Sequence, residues 1–409
     1  MTPLRGRLVA CEPGPEGCLA TVRTEKGIQR VQLSTRVEVD VLGSIGEVRG
    51  GRWQVLTPNR LPGGKTPFTD RVLDPRRLRA LRVREQVERG IRDFFRYRGF
   101  REVRTPLLVP CPGMEPHIRP IRAGGAYLPT SPEFAMKRLL VGGLERVFQI
   151  CPAFRDEPLS RTHHPEFTML EWYRAYAGYK HIMDDAEELI ADLCKRVHGG
   201  FKAQMGDHVV DFARPWPRFT VRELFQKHVG VDLGRGCDRE RLAAACRERG
   251  HVAGEGEDWD DLFFKLWLNH VEPALPSDRP VIVHRYPPSQ AALAVVEKDG
   301  DGTHWARRFE VYAGGLELAN AFEELTDPVE QRARFEKDMA LRERVYDDFE
   351  PSPLDEGFLQ ALGEGMPPSG GIALGVDRLV MLLAGEPDID FTLWLKSASE
   401  ESRSQSPGP

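Results

Sequence analysis

The stretch FQICPAFRDEPLSRTHHPEFTMLEWY, residues 148–173, decides how the chain folds. Two strand-like runs, 147–154 and 166–173, flank a long polar loop. Because side chains alternate along an extended chain, Arg155 and Glu157 at the end of the first run share one face. We therefore expect two strands joined by a loop that carries polar chemistry.

The loop and the strand ends combine cationic and aromatic groups. The loop carries Arg161, His163 and His164, a set of cationic and hydrogen-bonding groups that suits a polyphosphate. Arg155 can hold a phosphate oxygen bidentately, and Phe167 beside it can stack on a purine. These residues favour nucleotide binding. Arginine–glutamate pairs are also common in sheets, so a purely structural role for Arg155 stays open.

FRDE at 154–157, followed by HHPEFTMLEWY at 163–173, resembles motif 2 of the class II aminoacyl-tRNA synthetases, in the form used by lysyl-tRNA synthetases. Two further motifs agree with it in order and spacing, so the resemblance covers roughly residues 75–385. It implies an α+β fold in which an antiparallel sheet is flanked by helices. Within the family, the chain is most similar to shorter relatives that attach β-lysine to translation elongation factor P.

The composition is that of a soluble globular protein. The 409 residues are 41% hydrophobic and 29% charged, and the net charge of −5 does not favour broad binding to nucleic acid. The sequence has no apolar run of membrane-spanning length and no secretory leader at Met1. Seven cysteines without CxxC spacing predict reduced thiols in the cytoplasm. Cys11 and Cys18 flank a turn, but without a second ligand pair we expect no zinc site.

The order of patterns divides the chain into parts. The runs LRGRLVAC, CLATVRT, IQRVQL, VEVDVL and RWQVLT, separated by glycine and proline turns, predict a small β-barrel similar to an oligonucleotide-binding fold at 1–62. A linker follows at 63–76. The resemblance assigns 77–396 to the catalytic domain, with a helical insertion at about 176–280. The polar residues 397–409 predict a disordered tail.

The predicted barrel has few features of a nucleic-acid reader. Lysyl-tRNA synthetases carry a larger barrel in this place, which reads the anticodon. Here Trp53 is the only aromatic residue before Phe68, whereas stacking on single-stranded bases usually needs several aromatic side chains. A reduced or repurposed barrel and a module that only packs both stay open.

A helix followed by a strand precedes motif 2. From Pro75 the apolar residues recur at helical spacing, and Gly99 is a usual helix stop. FREVRTPLL then predicts a strand that ends at Pro106. This arrangement resembles motif 1, which forms the dimer interface in the family, and so implies a homodimer. An ordinary amphipathic helix is the alternative.

A second helix start follows in YLPTSPEFAMKRLL. Ser131 and Pro132 are typical of a helix start, with Glu133 in the first turn. Simple capping explains these residues equally well. The resemblance instead places them at the amino-acid pocket, where a carboxylate attracts an ammonium group.

The segment RRFEVYAGGLELANAFEELTD predicts a hairpin. With a two-residue turn at Ala313-Gly314, Glu310 and Glu317 lie directly opposite each other on one face. Like charges in such a pair are destabilising unless a cation lies between them, and Mg²⁺ prefers one or two carboxylates plus phosphate oxygens. The resemblance agrees, because the metal-holding glutamates of the family match these two positions.

Asn320 and Glu324 follow, where we expect the strand to give way to a turn and a helix. The resemblance implies that Asn320 contacts the polar backbone end of the amino acid, and that Glu324 and Tyr173 bind its side-chain ammonium. A buried carboxylate selects a long cationic chain, because an uncharged substrate leaves it unpaired. A solvated acid at a helix start is the alternative for Glu324.

SGGIALGVDRLVMLLAG resembles motif 3, in which Gly375 leads into a helix with Asp377 and Arg378. The resemblance implies that Arg155 and Arg378 are the catalytic residues. The expected ATP contacts are Arg155, Asp156, Glu157, His163, His164, Phe167, Glu317, Leu318, Gly375 and Arg378. The expected amino-acid contacts are Ser131, Pro132, Glu133, Tyr173, Asn320, Glu324 and Ala373.

Three features favour a ligase acting on elongation factor P: the compact barrel, GLELAN in place of REIGNG, and Ala373 where lysyl-tRNA synthetases usually have glycine. His164 and Ala321 depart from the family pattern. The hypothesis is a two-step ligase that uses ATP and Mg²⁺ to activate (R)-β-lysine or lysine and transfers it to a lysine of elongation factor P, with tRNA not expected as a partner. A lysyl-tRNA synthetase with a reduced anticodon domain and a non-catalytic synthetase-like binding protein are the alternatives.

Overall fold

The computed structural model describes residues 3–115, 117–345 and 353–395. The described chain divides into two compact units, one formed by the residues up to 82 with those from 390, the other by 83–389. The expected disordered tail, 397–409, lies outside the described residues. In the parts of the chain that the structure describes, no helix has both the length and the apolar composition needed to cross a membrane.

The strands, in chain order, are β1 (Arg5–Gly14), β2 (Gly17–Thr24), β3 (Gly27–Leu33), β4 (Ile45–Arg49), β5 (Arg52–Thr57), β6 (Arg101–Glu102), β7 (Arg122–Ala123), β8 (Ala126–Tyr127), β9 (Arg146–Phe154), β10 (Glu166–Ala175), β11 (Lys202–Met205), β12 (His208–Asp211), β13 (Arg218–Thr220), β14 (Val281–Tyr286), β15 (Val296–Lys298), β16 (His304–Ala313), β17 (Leu316–Glu323) and β18 (Ser369–Gly375). The α-helices are α1 (Pro67–Val72), α2 (Pro75–Tyr97), α3 (Glu133–Val141), α4 (Tyr179–His198), α5 (Val221–His228), α6 (Arg239–Glu248), α7 (Trp259–Leu266), α8 (Pro328–Val345), α9 (Glu356–Gly365) and α10 (Val376–Ala384).

The first unit contains an antiparallel sheet in the order β3-β2-β1-β4-β5. Its small core consists of Leu8, Cys18, Ala20, Val22 and Leu33. The prediction of a small N-terminal β-module is confirmed, but the prediction of a barrel is not, because the described strands pair as an open sheet with β3 and β5 at its edges.

The fourth strand was misplaced by the sequence pattern. VEVDVL alternates like a strand, yet Val39–Val41 forms a 3₁₀ turn with Val39 largely exposed, and the strand is β4 instead. Gly46 obscured it, since glycine is depleted in strands. A side chain at that position would overlap Gln54 and the ring of Trp53 on β5, so the close approach of the two strands requires glycine.

The expectation that all cysteines are reduced is wrong for one pair. Cys11 on β1 and Cys18 on β2 form a disulfide, and their Cα atoms lie 6.0 Å apart. The turn that joins the two strands brings the sulfurs together, because Gly14 pairs with Gly17 and the strands run back antiparallel from there. The other five cysteines are free thiols.

The second unit is built on a nine-stranded sheet, in which β15 pairs with β16 beside the main path β13-β14-β16-β17-β18-β10-β9-β6. The six central strands from β14 to β9 are antiparallel, whereas the edge strands β13 and β6 pair in parallel. The α+β class with a mainly antiparallel sheet is therefore confirmed. The strand expected before Pro106 shrinks to β6.

The interval 176–280 contains α4, α5, α6 and α7, in keeping with its helical pattern. It also contains three strands: β11 and β12 form a separate hairpin, and β13 joins the main sheet. The helices after β13 pack against one another through aromatic residues. The rings of Phe225 on α5 and Phe263 on α7 are stacked, with their centroids 4.7 Å apart.

The register of the central strands places polar residues in one row across the sheet. Glu171 of β10 lies opposite Ala373 of β18. Ala373 in turn lies opposite Asn320 of β17, and Asn320 lies opposite Glu310 of β16. Directly paired residues share a face, so these side chains project to the same side. A second row on that face comprises Tyr173, Gly371, Phe322 and Arg308.

Candidate functional site

The β16–β17 hairpin does not have the register that the sequence predicts. Its turn is Gly314-Gly315 rather than Ala313-Gly314, because both turn residues have positive φ (59° and 77°), which glycine adopts without strain. Tyr312 consequently pairs with Glu317. Glu310 pairs with Asn320, so the two glutamates are not directly opposite.

An irregularity in β17 brings the glutamates to one face nevertheless. The register shifts between Val311 and Tyr312, so that Val311 pairs with Ala319 and Leu318 is left out of the pairing. This β-bulge puts Glu317 and Asn320 on the same face although they are three residues apart. The Glu317 side chain is exposed although protein atoms surround its carboxylate densely, and we call this part of the surface the crevice. Loss of hydration among dense protein atoms and the charge of Glu310 raise the pKa of Glu317 to about 7.

Glu310 is held by protein donors. Its Oε2 accepts hydrogen bonds from the hydroxyls of Tyr286 (2.6 Å) and Tyr312 (2.5 Å), and its Oε1 accepts one from Arg308 Nη2 (2.5 Å). One lone pair on Oε1 remains. Together with the open carboxylate of Glu317, this donor set fits Mg²⁺ that is shared with phosphate oxygens.

The two motif arginines face the same crevice. Arg378 donates hydrogen bonds to the carbonyl oxygens of Glu317 (2.8 Å) and Thr162 (3.3 Å) and contacts His163 Nε2 at 2.7 Å. Arg155 lies over the ring of Phe167, with 5.2 Å from its guanidinium carbon to the ring centroid. Both positive charges lower the pKa of Glu317 from the value that burial and Glu310 alone would give.

Neither arginine forms an ion pair with a carboxylate within 4.0 Å among the described residues. The Nε of Arg155 is buried without a hydrogen-bond partner in that part of the chain. Both arginine side chains are half-buried. A guanidinium N–H that is buried without an acceptor is costly, so Arg155 has a donor available for an anion.

Backbone hydrogen bonds fix the start of the loop between β9 and β10. Arg155 N donates to Pro165 O (2.9 Å), and Asp156 N donates to Arg119 O (2.8 Å). Burial and Arg378 lower the pKa of His163, so its neutral ring accepts from the arginine. His164 is buried and contacts the carbonyl of Glu166 at 2.6 Å, which directs it into the loop rather than the crevice.

The remaining expected ATP contacts differ in exposure. Asp156 is exposed and Glu157 is half-buried near His163. Leu318 is 2% exposed, so its backbone rather than its side chain is available at the bulge. Gly375 is the last residue of β18 and precedes α10. Asp377 fixes that helix, because its Oδ2 accepts from Thr168 N at 2.5 Å.

The expected amino-acid contacts gather at the other end of the row. Ser131 Oγ accepts from Glu133 N (3.0 Å) and donates to Glu171 Oε1 (2.6 Å). Simple capping therefore does not describe Ser131, because the N-cap residue of α3 is Pro132 and the Ser131 hydroxyl also binds a sheet carboxyl. Tyr173 OH donates to Glu171 Oε2 (2.9 Å). Pro132 is buried and is the N-cap residue of α3.

Glu324 is a buried carboxylate and not a solvated helix-start acid. It is 2% exposed, and it directly follows β17, four residues before α8 begins. Asn320 lies inside β17 instead of at its end, and its Oδ1 accepts from Arg308 Nε (3.1 Å). Lys137 Nζ lies 2.5 Å from Glu324 Oε2 and 2.5 Å from Glu133 Oε1.

Four residues of the site were not assigned from the sequence: Glu171, Lys137, Arg308 and Gly371. Alternation along β10 puts Glu171 on the face of Phe167, and Arg308 lies two residues before Glu310, so both could have been found from the period of a strand. Gly371 and Lys137 required the fold. A side chain at Gly371 would overlap Glu324 and the ring of Tyr173.

The fold and the site together define a class II synthetase-type centre, and the comparison with known families agrees. The chain belongs to the family of tRNA synthetases class II (D, K and N), whose model matches residues 65–395. The family prediction made from the three motifs is thereby confirmed.

Individual relatives are lysine–tRNA ligases. One from Dehalococcoides mccartyi is 39% identical over 312 residues, which cover 75% of this chain and 62% of that protein. One from Carboxydothermus hydrogenoformans is 35% identical over 372 residues, covering 90% of this chain and 74% of the relative. A third, from Moorella thermoacetica, is 39% identical over 328 residues, covering 79% and 66%. The chain thus spans less than two thirds of the length of several relatives that it matches.

Proposed function

We propose that the protein activates a lysine-type amino acid with ATP, forming an aminoacyl-adenylate and pyrophosphate. One observation carries this proposal: a crevice with two arginines, neither ion-paired to a carboxylate of the described residues, adjoins an acidic pocket on the same face of one sheet. The arginines suit a polyphosphate, and the pocket suits an ammonium group. Membership of the class II family supports the pairing of these two chemistries.

In the activation step, the substrate carboxylate attacks the α-phosphorus of ATP, and the bond to the leaving pyrophosphate breaks. Arg155 and Arg378 stabilise the negative charge on the phosphates. Phe167 offers its ring to the adenine, while Glu324 and Tyr173 hold the distal ammonium so that the carboxylate end lies near Asn320. Mg²⁺ held by Glu310 and Glu317 would neutralise phosphate charge.

We propose elongation factor P as the acceptor and (R)-β-lysine as the preferred amino acid. An uncharged lysine amine of the acceptor attacks the acyl carbon, an amide bond forms, AMP leaves and the amine loses a proton. Ala373 supports the choice of isomer, because it lies between Glu171 and Asn320 in the polar row, where a methyl group narrows the space near the amino acid's backbone end. The single aromatic residue of the N-terminal sheet, Trp53, supports an acceptor other than an anticodon.

Lysyl-tRNA synthesis is the second candidate. It is favoured by the relatives, which are lysine–tRNA ligases. Both candidates share the first step and differ in the acceptor and in the amino-acid isomer.

ATP–pyrophosphate exchange with (R)-β-lysine and with α-lysine tests the first step. We expect exchange with at least one isomer, and none in R378M; absence of exchange with every lysine isomer would favour a non-catalytic binding protein. Incubation of the labelled amino acid with elongation factor P and with tRNA in parallel then identifies the acceptor. Label on tRNA alone would overturn the elongation factor P proposal.

We also propose that the protein is a homodimer, as the resemblance of α2 and β6 to motif 1 implies. Tyr97 at the end of α2 is 89% exposed and Leu108 is 60% exposed, so apolar surface is available near this motif. Light scattering should give a mass of about twice 46.2 kDa, and Y97E should lower it if the interface lies there.

A further inference from the structure

The acidic pocket contains a positive charge of its own. Lys137 on α3 is fully buried, and its ammonium lies 2.5 Å from both Glu133 and Glu324. A third carboxyl, Glu171, is also fully buried beside them and accepts from two hydroxyls. The activation step leaves Lys137 without a task, although a buried lysine is expensive to maintain.

The position of Lys137 affects the charge state of its neighbours. Burial raises the pKa of Glu324 to about 8, and Lys137 opposes that rise. Burial, with Glu133, likewise raises the pKa of Glu171 to about 8, and Lys137 again acts in the opposite direction. Burial alone would lower the pKa of Lys137, but Glu133 and Glu324 raise it above its usual value, so the ammonium stays charged.

We propose that Lys137 is a positioning residue that sets the charge specificity of the pocket. Its two ion pairs fix Glu133 and Glu324 at opposite sides of one ammonium. When all three carboxyl groups are ionised around the ligand, they and the one lysine leave two negative charges for the ligand to balance. The class of ligand that balances them is an amino acid with two ammonium groups, bound with both charged. This inference rests on the proposed activation of a lysine-type amino acid.

Other groups around the pocket leave this balance in place. Burial raises the pKa of Glu133 and Lys137 lowers it. Glu115, from the loop before β7, has a smaller effect that also raises it. Glu323 acts on Glu324, but its side chain pairs with Arg307 and accepts from Tyr179 N on the other face of the sheet. The phenol of Tyr173 is neutral, because burial and Glu171 raise its pKa well above the usual value.

The decisive experiment compares wild type with K137M, which keeps the approximate volume of the side chain and removes the charge. We expect the KM for the lysine substrate at pH 7 to rise at least about 10-fold while the KM for ATP stays the same. The dependence of lysine KM on pH should move up by ~1 pH unit, since Glu324 without its counter-ion ionises only at higher pH. A lower kcat or melting temperature with an unmoved pH profile would mean a merely structural role and overturn the proposal.

A second variant tests the charge count itself. K137M/E133Q restores two negative charges by removing one carboxylate together with the lysine, so its lysine KM should fall below that of K137M. A double variant that binds lysine more weakly than K137M would contradict the charge balance. K180M, at an exposed position on α4, is the matched control. Should K137M fail to fold, K137Q, which keeps donors but no charge, must show the same upward pH shift.

Calorimetric titration of lysine into each variant without ATP gives a readout independent of catalysis. If the wild-type protein neither binds any lysine isomer nor supports ATP–pyrophosphate exchange with one, the proposed function is wrong. If the wild-type protein is active, and K137M and K137Q have the same lysine affinity and pH profile as wild type, only the inference about Lys137 is wrong.

Discussion

At the scale of single residues, the site depends on carboxyl groups whose pKa values are raised mainly by burial. Glu171 lies in the polar row of the sheet and is capped on both oxygens by hydroxyls. Burial, then the nearby Glu133, raises its pKa to about 8, far from its usual value of 4.5. The pKa of Glu324, which directly follows β17, is shifted in the same direction. Both carboxyls therefore hold a proton up to a higher pH than an ordinary carboxyl does, and a cation beside them favours the ionised form.

Affinity for the lysine substrate should consequently increase with pH. An entering ammonium must displace a proton from Glu171 or Glu324, and this displacement becomes easier as pH approaches about 8. We expect the KM for lysine to be at least about 10-fold higher at pH 6.5 than at pH 8.5, because binding is accompanied by ionisation of these carboxyls and release of their protons. Steady-state exchange across this range checks it. A flat KM profile would contradict the raised pKa values.

The stability of the ligand-free protein should follow the opposite trend. A carboxyl whose pKa is raised on folding contributes stability that is fully present below pH 4.5 and is lost as pH rises through about 8. E171Q keeps a group that can hydrogen-bond with Ser131 and Tyr173 but cannot ionise. Its unfolding free energy should therefore fall less than that of wild type between pH 5 and pH 8.5. Denaturant unfolding at these two pH values measures the difference, and equal falls would count against the argument.

Gly371 shows that the pocket also depends on the absence of a side chain. A methyl group there would overlap Glu324 and the ring of Tyr173. We expect G371A to lower stability by about 1–3 kcal/mol through overpacking and to raise the KM for lysine with little effect on that for ATP. Gly125 has open space around its Cβ position, so G125A serves as the control. Thermal unfolding and exchange kinetics distinguish the two variants.

At the scale of elements, the sequence was informative where a pattern repeats and uninformative where one residue breaks it. The boundaries of α2 and the faces of β9 and β10 follow from periodicity. Periodicity did not predict strand β4, because Gly46 is required there by contacts with β5. It did not predict the β16–β17 register either, because the turn is set by the positive φ of Gly314 and Gly315. The predicted opposition of Glu310 and Glu317 was wrong in register, yet the bulge at Leu318 puts both on one face.

Glu317 should contribute to magnesium binding, because the bulge at Leu318 puts its carboxylate on the face of Glu310. We expect E317Q, which removes the charge and keeps the hairpin intact, to need a much higher Mg²⁺ concentration for exchange. Deletion of Leu318 should leave the magnesium dependence close to that of wild type, since Glu317 would then lie two residues from Asn320 in a regular strand and on the same face. Activity titrated against Mg²⁺ provides the measurement. Unchanged magnesium dependence in E317Q would remove Glu317 from the proposed metal site.

At the scale of the whole molecule, the described chain has two units with separate cores. Leu8 belongs to the core of the N-terminal sheet, whereas the polar row and both arginines lie within 83–389. Sequence patterns anticipated a small β-module followed by a larger synthetase-like domain. The open form of the small sheet could not be anticipated, because closure of a barrel depends on pairing between distant edge strands, which leaves no local signal.

If each core unfolds independently, L8A and L193A should affect different transitions. Both leucines are fully buried, and truncation of a buried leucine costs about 2–5 kcal/mol. L8A should lower the temperature of one calorimetric transition and leave ATP–pyrophosphate exchange within about twofold of wild type, because every proposed contact to ATP and the amino acid lies in the second unit. L193A, on α4, should lower the temperature at which exchange is lost. A single transition that both variants lower together would mean that the two cores unfold as one. Loss of exchange in L8A under folded conditions would mean that adenylate formation depends on the N-terminal sheet.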